Sequence, residues 1–189
     1  MKVIYLHGFG SIGHSSKSGW LRDELGKQGH TVIAPDLPDK PAQAALFLDD
    51  YLKARQGESI CLIGTSLGGF YAAFYAEKYN WPSVLINPLA DVADLINAAM
   101  GENRNYYTNE LFILDQCDSD KLRRMSEEML SVTTVPSLLL LDKGDELLDY
   151  TKALQRYANV SERALFEGGS HRFAHLPESL DKILTVLKA

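Results

Sequence analysis

Three side chains, far apart along a chain of 189 residues, are of the types that acyl transfer requires. They are Ser66 in Gly64-Thr65-Ser66-Leu67-Gly68, Asp145 in Asp142-Lys143-Gly144-Asp145-Glu146, and His171 in Gly168-Gly169-Ser170-His171. A serine hydroxyl is a weak nucleophile near neutral pH and needs an imidazole within hydrogen-bond reach to take its proton. The imidazole needs a carboxylate to fix its tautomer and to stabilise the imidazolium. Ser66 lies in a G-x-S-x-G pattern that follows the apolar run Ile60 to Ile63 and precedes a helical segment rich in small residues, Ala72, Ala73 and Ala76. That strand, turn and helix context is the one a nucleophile elbow needs. Glycine at 64 and 68 fits a turn too tight for side chains, one that holds Ser66 in strained backbone geometry with its hydroxyl presented above a sheet. Leu67 opens the helix, so its N–H lacks an intrahelical partner and is a candidate oxyanion donor. The competing reading is a tightly packed turn in which Ser66 merely caps the helix.

A second donor is expected from the loop after the first strand, Val3 to Leu6. His7-Gly8-Phe9 would bring the N–H of Phe9 beside that of Leu67, with His7 as a loop histidine that carries no proton chemistry. The same residues fit a rival template, because Gly8, Gly10 and Gly13 spell G-x-G-x-x-G and Asp36 ends the next strand where a ribose-binding acid would stand. A dinucleotide site needs a helix that begins within the glycines. Residues 10–19 are instead full of poor helix formers, and a helix carrying Trp20, Leu21 and Leu25 is expected to start only at Ser16 to Ser18.

Further elements follow in alternation. Thr31 to Pro35 reads as a strand, and Pro41 suits the first turn of a helix that faces Ala45, Leu48 and Leu52 inward. Ser83 to Asn87 and Val135 to Leu141 read as strands, Glu162 to Phe166 as the last strand, and Leu180, Ile183, Leu184 and Leu187 as one face of a closing helix. Asp142 and Asp145 compete for the orienting role beside His171. Asp145 is favoured because it lies at the loop crest after Gly144, although a helix-capping role for Leu147 to Tyr157 would also explain it. His175, near the final helix, reads as a surface or capping histidine. Between about residues 89 and 133 the alternation fails, and an inserted lid is expected there. Within it Val92 to Met100 and Asp120 to Met129 look helical. Tyr106, Tyr107, Leu111 and Phe112 are candidates for an acyl pocket. Asp115, Asp118 and Asp120 read as a solvated acidic stretch, since no EF-hand pattern surrounds them and no metal is expected.

Length and a hydrophobic content of 46% suit one compact domain spanning residues 1–189. The net charge of -6 argues against nucleic-acid and anionic-membrane partners. Cys61 and Cys117 lie in dissimilar surroundings and read as free thiols, and no segment has the length of a signal or membrane-spanning run, so a cytoplasmic protein is expected. Oligomeric state stays open.

Taken together, Tyr5-Leu-His-Gly-Phe9, Gly64-Thr-Ser-Leu-Gly-Gly69, Asn87-Pro88, Asn105-Tyr-Tyr-Thr108, Gly144-Asp-Glu146, Asp149-Tyr150 and Gly168-Gly-Ser-His171 resemble the α/β-hydrolases, and more narrowly the short bacterial esterases of the YqiA kind. Nucleophile, acid and histidine also occur in that superfamily's order. The resemblance implies a minimal α/β-hydrolase fold: six mainly parallel strands, helices on both faces and an inserted lid. It further implies Ser66 as nucleophile, Asp145 rather than Asp142 as acid and His171 as base, with activity on small-molecule short-chain esters and no cofactor. Thr65 departs from the serine common in close relatives, and the insertion matches less well. Thioester or peptide hydrolysis by the same groups, a non-catalytic protein of this fold, and a dinucleotide-binding protein are the alternatives.

Overall fold

The computed structural model describes residues 1–129 and 135–188. The end of the expected insertion, residues 130–133, and the last residue of the expected domain, 189, lie outside the described residues. The strands are β1 Lys2–Leu6, β2 Thr31–Ile33, β3 Ile60–Thr65, β4 Ser83–Ile86, β5 Gly101–Arg104, β6 Leu111–Leu114, β7 Ser137–Asp142 and β8 Glu162–Phe166. The helices are α1 Ser16–Lys27, α2 Pro41–Lys53, α3 Leu67–Tyr79, α4 Val92–Ala99, α5 Gln116–Glu128, α6 Tyr150–Arg156 and α7 Leu180–Lys188.

Six strands form one sheet in the order β2-β1-β3-β4-β7-β8, and each adjacent pair is parallel. A parallel sheet covered on both faces requires strands apolar throughout, and β3 (ICLIGT) and β7 (SLLLLD) are buried along their full lengths. Alternate residues feed two cores. Ile4, Leu6, Leu62, Leu85, Leu139 and Leu141 meet α2 through α6 on one face. Val3, Tyr5, Ile63, Val84, Ile86 and Leu140 meet α1 and α7 on the other. The helix after the glycine-rich loop starts at Ser16, capped by the side chain of Ser15, and Pro41 opens α2.

From β1 the chain passes to β2 on one side, whereas β3 lies on β1's other side and leads on toward β4. This reversal leaves a crevice at the carboxyl ends of β1 and β3, the place where open α/β sheets hold their sites. The register sets Leu6 opposite Gly64, so the loop starting at His7 and the turn bearing Ser66 leave the sheet side by side.

The 89–129 region differs from expectation in two ways. A two-stranded antiparallel hairpin, β5 with β6, occupies what reads in sequence as an irregular link. Its strands are four residues each and only β6 is apolar, too short for alternation to register as a signal. The acidic stretch is not solvated as a whole. Asp115 caps α5 and pairs with Lys40 at 2.5 Å, while Asp118 is fully buried and accepts from the N–H groups of Ala42 at 2.9 Å and Asp115 at 3.0 Å. Those two carboxylates satisfy helix-end donors, which a sequence shows only as a cluster of charge.

Candidate active site

Ser66 follows β3 directly, with φ 56° and ψ -124°, a backbone conformation that side-chain-bearing residues rarely adopt. The turn is forced by close approach: a side chain on Gly64 would overlap the carbonyl of Gly68, and one on Gly68 would overlap the carbonyls of Leu6 and His7. Although Ser66 occupies the N-cap position of α3, its side chain makes no capping hydrogen bond, so the simple cap reading fails. Its Oγ faces His171 Nε2 at 3.1 Å.

His171 follows β8, and its Nδ1 lies 3.0 and 2.9 Å from the two carboxylate oxygens of Asp145. Asp145 follows β7, with a side chain only 2% exposed. Its Oδ1 also accepts from the N–H groups of Leu147 and Leu148, each at 2.9 Å, but these bonds close a turn and not a helix, so the helix-capping role read from the sequence does not hold. Helix α6 begins later, capped by Asp149. Burial opposes ionisation of Asp145, yet the His171 hydrogen bond, the two N–H donors and the nearby imidazole outweigh it and hold the carboxyl below its ordinary value. Glu146 Oε2 accepts from His171 N at 2.9 Å, fixing the backbone beside the ring.

The loop after β1 runs against Ser66: a Cβ on Gly8 would stand 3.7 Å from Ser66 Oγ. Phe9 is therefore adjacent to the elbow, and Leu67 is the first residue of α3, its N–H outside the helical ladder. His7 holds this loop. Its Nδ1 donates to Gly8 O at 2.9 Å and its Nε2 accepts from Leu37 N at 2.8 Å, which specifies the neutral Nδ1–H tautomer. Burial pushes its pKa below the ordinary value despite the opposing Gly8 carbonyl and the carboxylates of Asp36 and Asp39. The dinucleotide template does not survive, because no helix begins within Gly8 to Gly13 and Asp36 instead accepts from Gly13 N at 2.6 Å.

Tyr106 and Tyr107 are 81% and 52% exposed, and Leu111 is exposed as well. Leu111 and Ile113 of the hairpin face outward, while its tip is fastened onto the loop after β1. Tyr106 N donates to Gly10 O at 2.8 Å, and Asn105 Nδ2 donates to Ser11 O at 3.0 Å and to Asp39 Oδ1 at 2.7 Å. Phe112, partly buried, meets Phe9 edge-on with ring centroids 5.2 Å apart. Next to the crevice lies a cavity of about 10 Å³, lined by His7, Phe9, Leu37, Leu67 and Tyr71 among others. That is the room of about one water molecule.

Two groups were missed from sequence. Asn87, with φ 38°, accepts from Asp142 N at 2.9 Å and donates from Nδ2 to Ser170 O at 2.9 Å, tying the ends of β4 and β7 to the histidine loop. His175 is no surface or capping histidine: its Nδ1 lies 2.6 Å from Asp142 Oδ1 and its ring stacks on Phe166 at 4.7 Å. An Asn-Pro pair at a strand end and an Asp closing the strand that precedes the one before the histidine loop are the sequence traces of them.

A parallel sheet with a strained serine elbow at its switch point, and with carboxylate and histidine loops after its last two strands, is the arrangement of the α/β-hydrolase fold, and this chain has that fold. It resembles an esterase domain from a Rhodothermus marinus protein (TM-score 0.71, 17% identity, 97% of this chain and 84% of that one). It is also similar to a monoacylglycerol lipase of Paleococcus ferrophilus (TM-score 0.70, 19% identity, 99% and 92%). A third similar structure is Est1E of Butyrivibrio proteoclasticus with ferulic acid bound (TM-score 0.66, 16% identity, 99% and 86%). The chain belongs to UPF0227, described as an uncharacterised protein family, whose profile matches residues 2–188. Among the described residues, no helix is long and apolar enough to cross a membrane.

Proposed function

We propose that this protein is a serine esterase that hydrolyses short-chain carboxylic esters through an acyl-enzyme. The observation that carries the reading is the unbroken line of hydrogen bonds from Ser66 Oγ through His171 to Asp145, with the serine in strained backbone geometry and free of any capping role. In the first step Ser66 Oγ bonds to the ester carbonyl carbon while its proton passes to His171 Nε2. The carbonyl oxygen becomes an oxyanion held by the N–H groups of Phe9 and Leu67. As the carbon–oxygen bond to the alcohol breaks, Nε2 returns the proton to the departing oxygen. Water then repeats the sequence and frees the acid. Asp145 keeps the proton on Nδ1 and stabilises the imidazolium. No step calls for a cofactor.

The small size of the cavity beside Phe9 and Leu67, with Leu37, Ala44 and Tyr71 among its walls, supports a preference for short over long acyl chains. That the similar structures include esterases and a lipase is consistent with ester chemistry. Fluorophosphonate labelling combined with a p-nitrophenyl ester series from acetate to octanoate tests the reading. Labelling that disappears in Ser66→Ala, with turnover greatest on the shortest esters, is expected. Unlabelled wild-type protein without ester turnover would sink it.

A further inference from the structure

Several backbone polar groups around His171 are engaged by side chains from elsewhere in the fold. Asp142 Oδ2 accepts from Ser170 N at 3.1 Å and from Ala174 N at 2.7 Å, gripping the loop on both sides of the histidine. Asn87 Nδ2 takes Ser170 O, Glu146 takes His171 N, and Lys17 Nζ donates to Arg172 O at 2.6 Å. Asp142 is the centre of this arrangement. It is 0% exposed, it ends β7, and its second oxygen meets His175 Nδ1 at 2.6 Å. The loop is shaped around it: Gly168, Gly169 and Phe173 all have positive φ, and a side chain on Gly169 would overlap the Asp142 carboxylate. A buried carboxylate is tolerated only with such partners, and Lys17 is the cation nearby, its ammonium lowered to about 8 by burial although Asp142 opposes that shift.

We propose that Asp142 and His175 are positioning residues: their carboxylate–imidazole pair clamps the loop of residues 168–175 and so sets the distance between His171 Nε2 and Ser66 Oγ. The chain thus carries two Asp–His pairs on the same two strand ends. Asp145–His171 faces the serine, and Asp142–His175 holds the loop from behind, with the His175 ring fixed by its stack on Phe166. Small displacements of a general base from its nucleophile are costly in rate, which makes such a clamp consequential.

The inference rests on the esterase reading, and its test separates the two. For p-nitrophenyl acetate, assayed well below each variant's melting temperature, Asp142→Ala lowers kcat about 100-fold with KM within about twofold. Asp142→Asn, which keeps an acceptor for Ser170 and Ala174 N–H, restores most of kcat. His175→Phe keeps the stack, loses the hydrogen bond and lowers kcat about tenfold; it decides the matter if Asp142→Ala does not fold. Amide hydrogen exchange at Ser170 and Ala174, read by NMR, accelerates in Asp142→Ala, or in His175→Phe in its place, irrespective of activity. Unchanged kcat, a loss confined to KM, or unchanged exchange overturns the clamp. Wild-type protein that fluorophosphonate does not label overturns the esterase reading instead, and the exchange measurement still decides the clamp.

Discussion

His171 Nε2 stands 3.1 Å from Ser66 Oγ although 105 residues separate them in the chain. The hydroxyl therefore has an acceptor within hydrogen-bond distance, on a ring whose opposite nitrogen is held by Asp145. Removing either member should abolish the proton transfer. In comparable hydrolases loss of the serine or the histidine costs about 10⁶ in kcat, leaving only what binding and the oxyanion donors supply. Ser66→Ala and His171→Ala are expected to lower kcat on p-nitrophenyl acetate by at least about 10⁴, and the double variant by little more, because the residues act as a unit. Additive losses would show that they do not.

Asp145 supplies a pH dependence of stability. Its carboxyl is held below the ordinary value, so the folded state binds that proton less readily than the unfolded chain. The resulting stabilisation is fully present above the unfolded value, about 4, and is lost as pH falls through the depressed folded value. The melting-temperature gap between wild type and Asp145→Asn should be widest near neutral pH and close below about pH 4. A gap that grows on acidification would reverse the sign.

His7 acts in a higher range. It is buried and neutral, with Nε2 accepting from Leu37 N, and its pKa lies below the ordinary value. The unfolded chain takes up the proton first as pH falls, so stability is present above about 6.5 and declines as pH drops through the lowered folded value. Thermal melts between about pH 7 and pH 5 should show a steeper fall for wild type than for His7→Gln. Parallel curves would assign the acid sensitivity elsewhere.

Asn105 joins the hairpin tip to the loop beside Ser66. It is 3% exposed, donates to Ser11 O and Asp39 Oδ1, and accepts from the N–H groups of Tyr107 and Thr108. Asn105→Ala leaves these partners unpaired, and urea unfolding should show a loss of about 1–3 kcal/mol. Because Gly10 and Ser11 adjoin Phe9, kcat is expected to fall as well. Stability lost at unchanged kcat would confine Asn105 to the scaffold.

The elbow, the loop after the first strand and the acid and histidine loops were legible because each is a local pattern tied to a strand end. Gly64 and Gly68 announce a turn with no room for side chains, and the alternation of apolar strands with helices gives the parallel sheet. The hairpin was not legible, since Gly101–Arg104 has no apolar face to mark it as the partner of Leu111–Leu114. Asp118 read as solvated because burial of a carboxylate depends on which donors reach it, here Ala42 N from a distant helix.

By itself, the sequence determined where the chain turns, which segments are buried on both faces, and that a serine, an acid and a histidine each follow a strand end, in that order. Only the tertiary structure decided which histidine each aspartate serves. Asp142 and Asp145 are three residues apart, and His171 and His175 four, so either pairing is open to the chain. The choice is made where β7 and β8 lie in register: Asp142, still in the strand, turns into the loop behind His171, and Asp145, beyond Gly144, reaches its ring. Hydrogen-bond geometry of a few tenths of an ångström is set by packing across strands, and no local pattern encodes it.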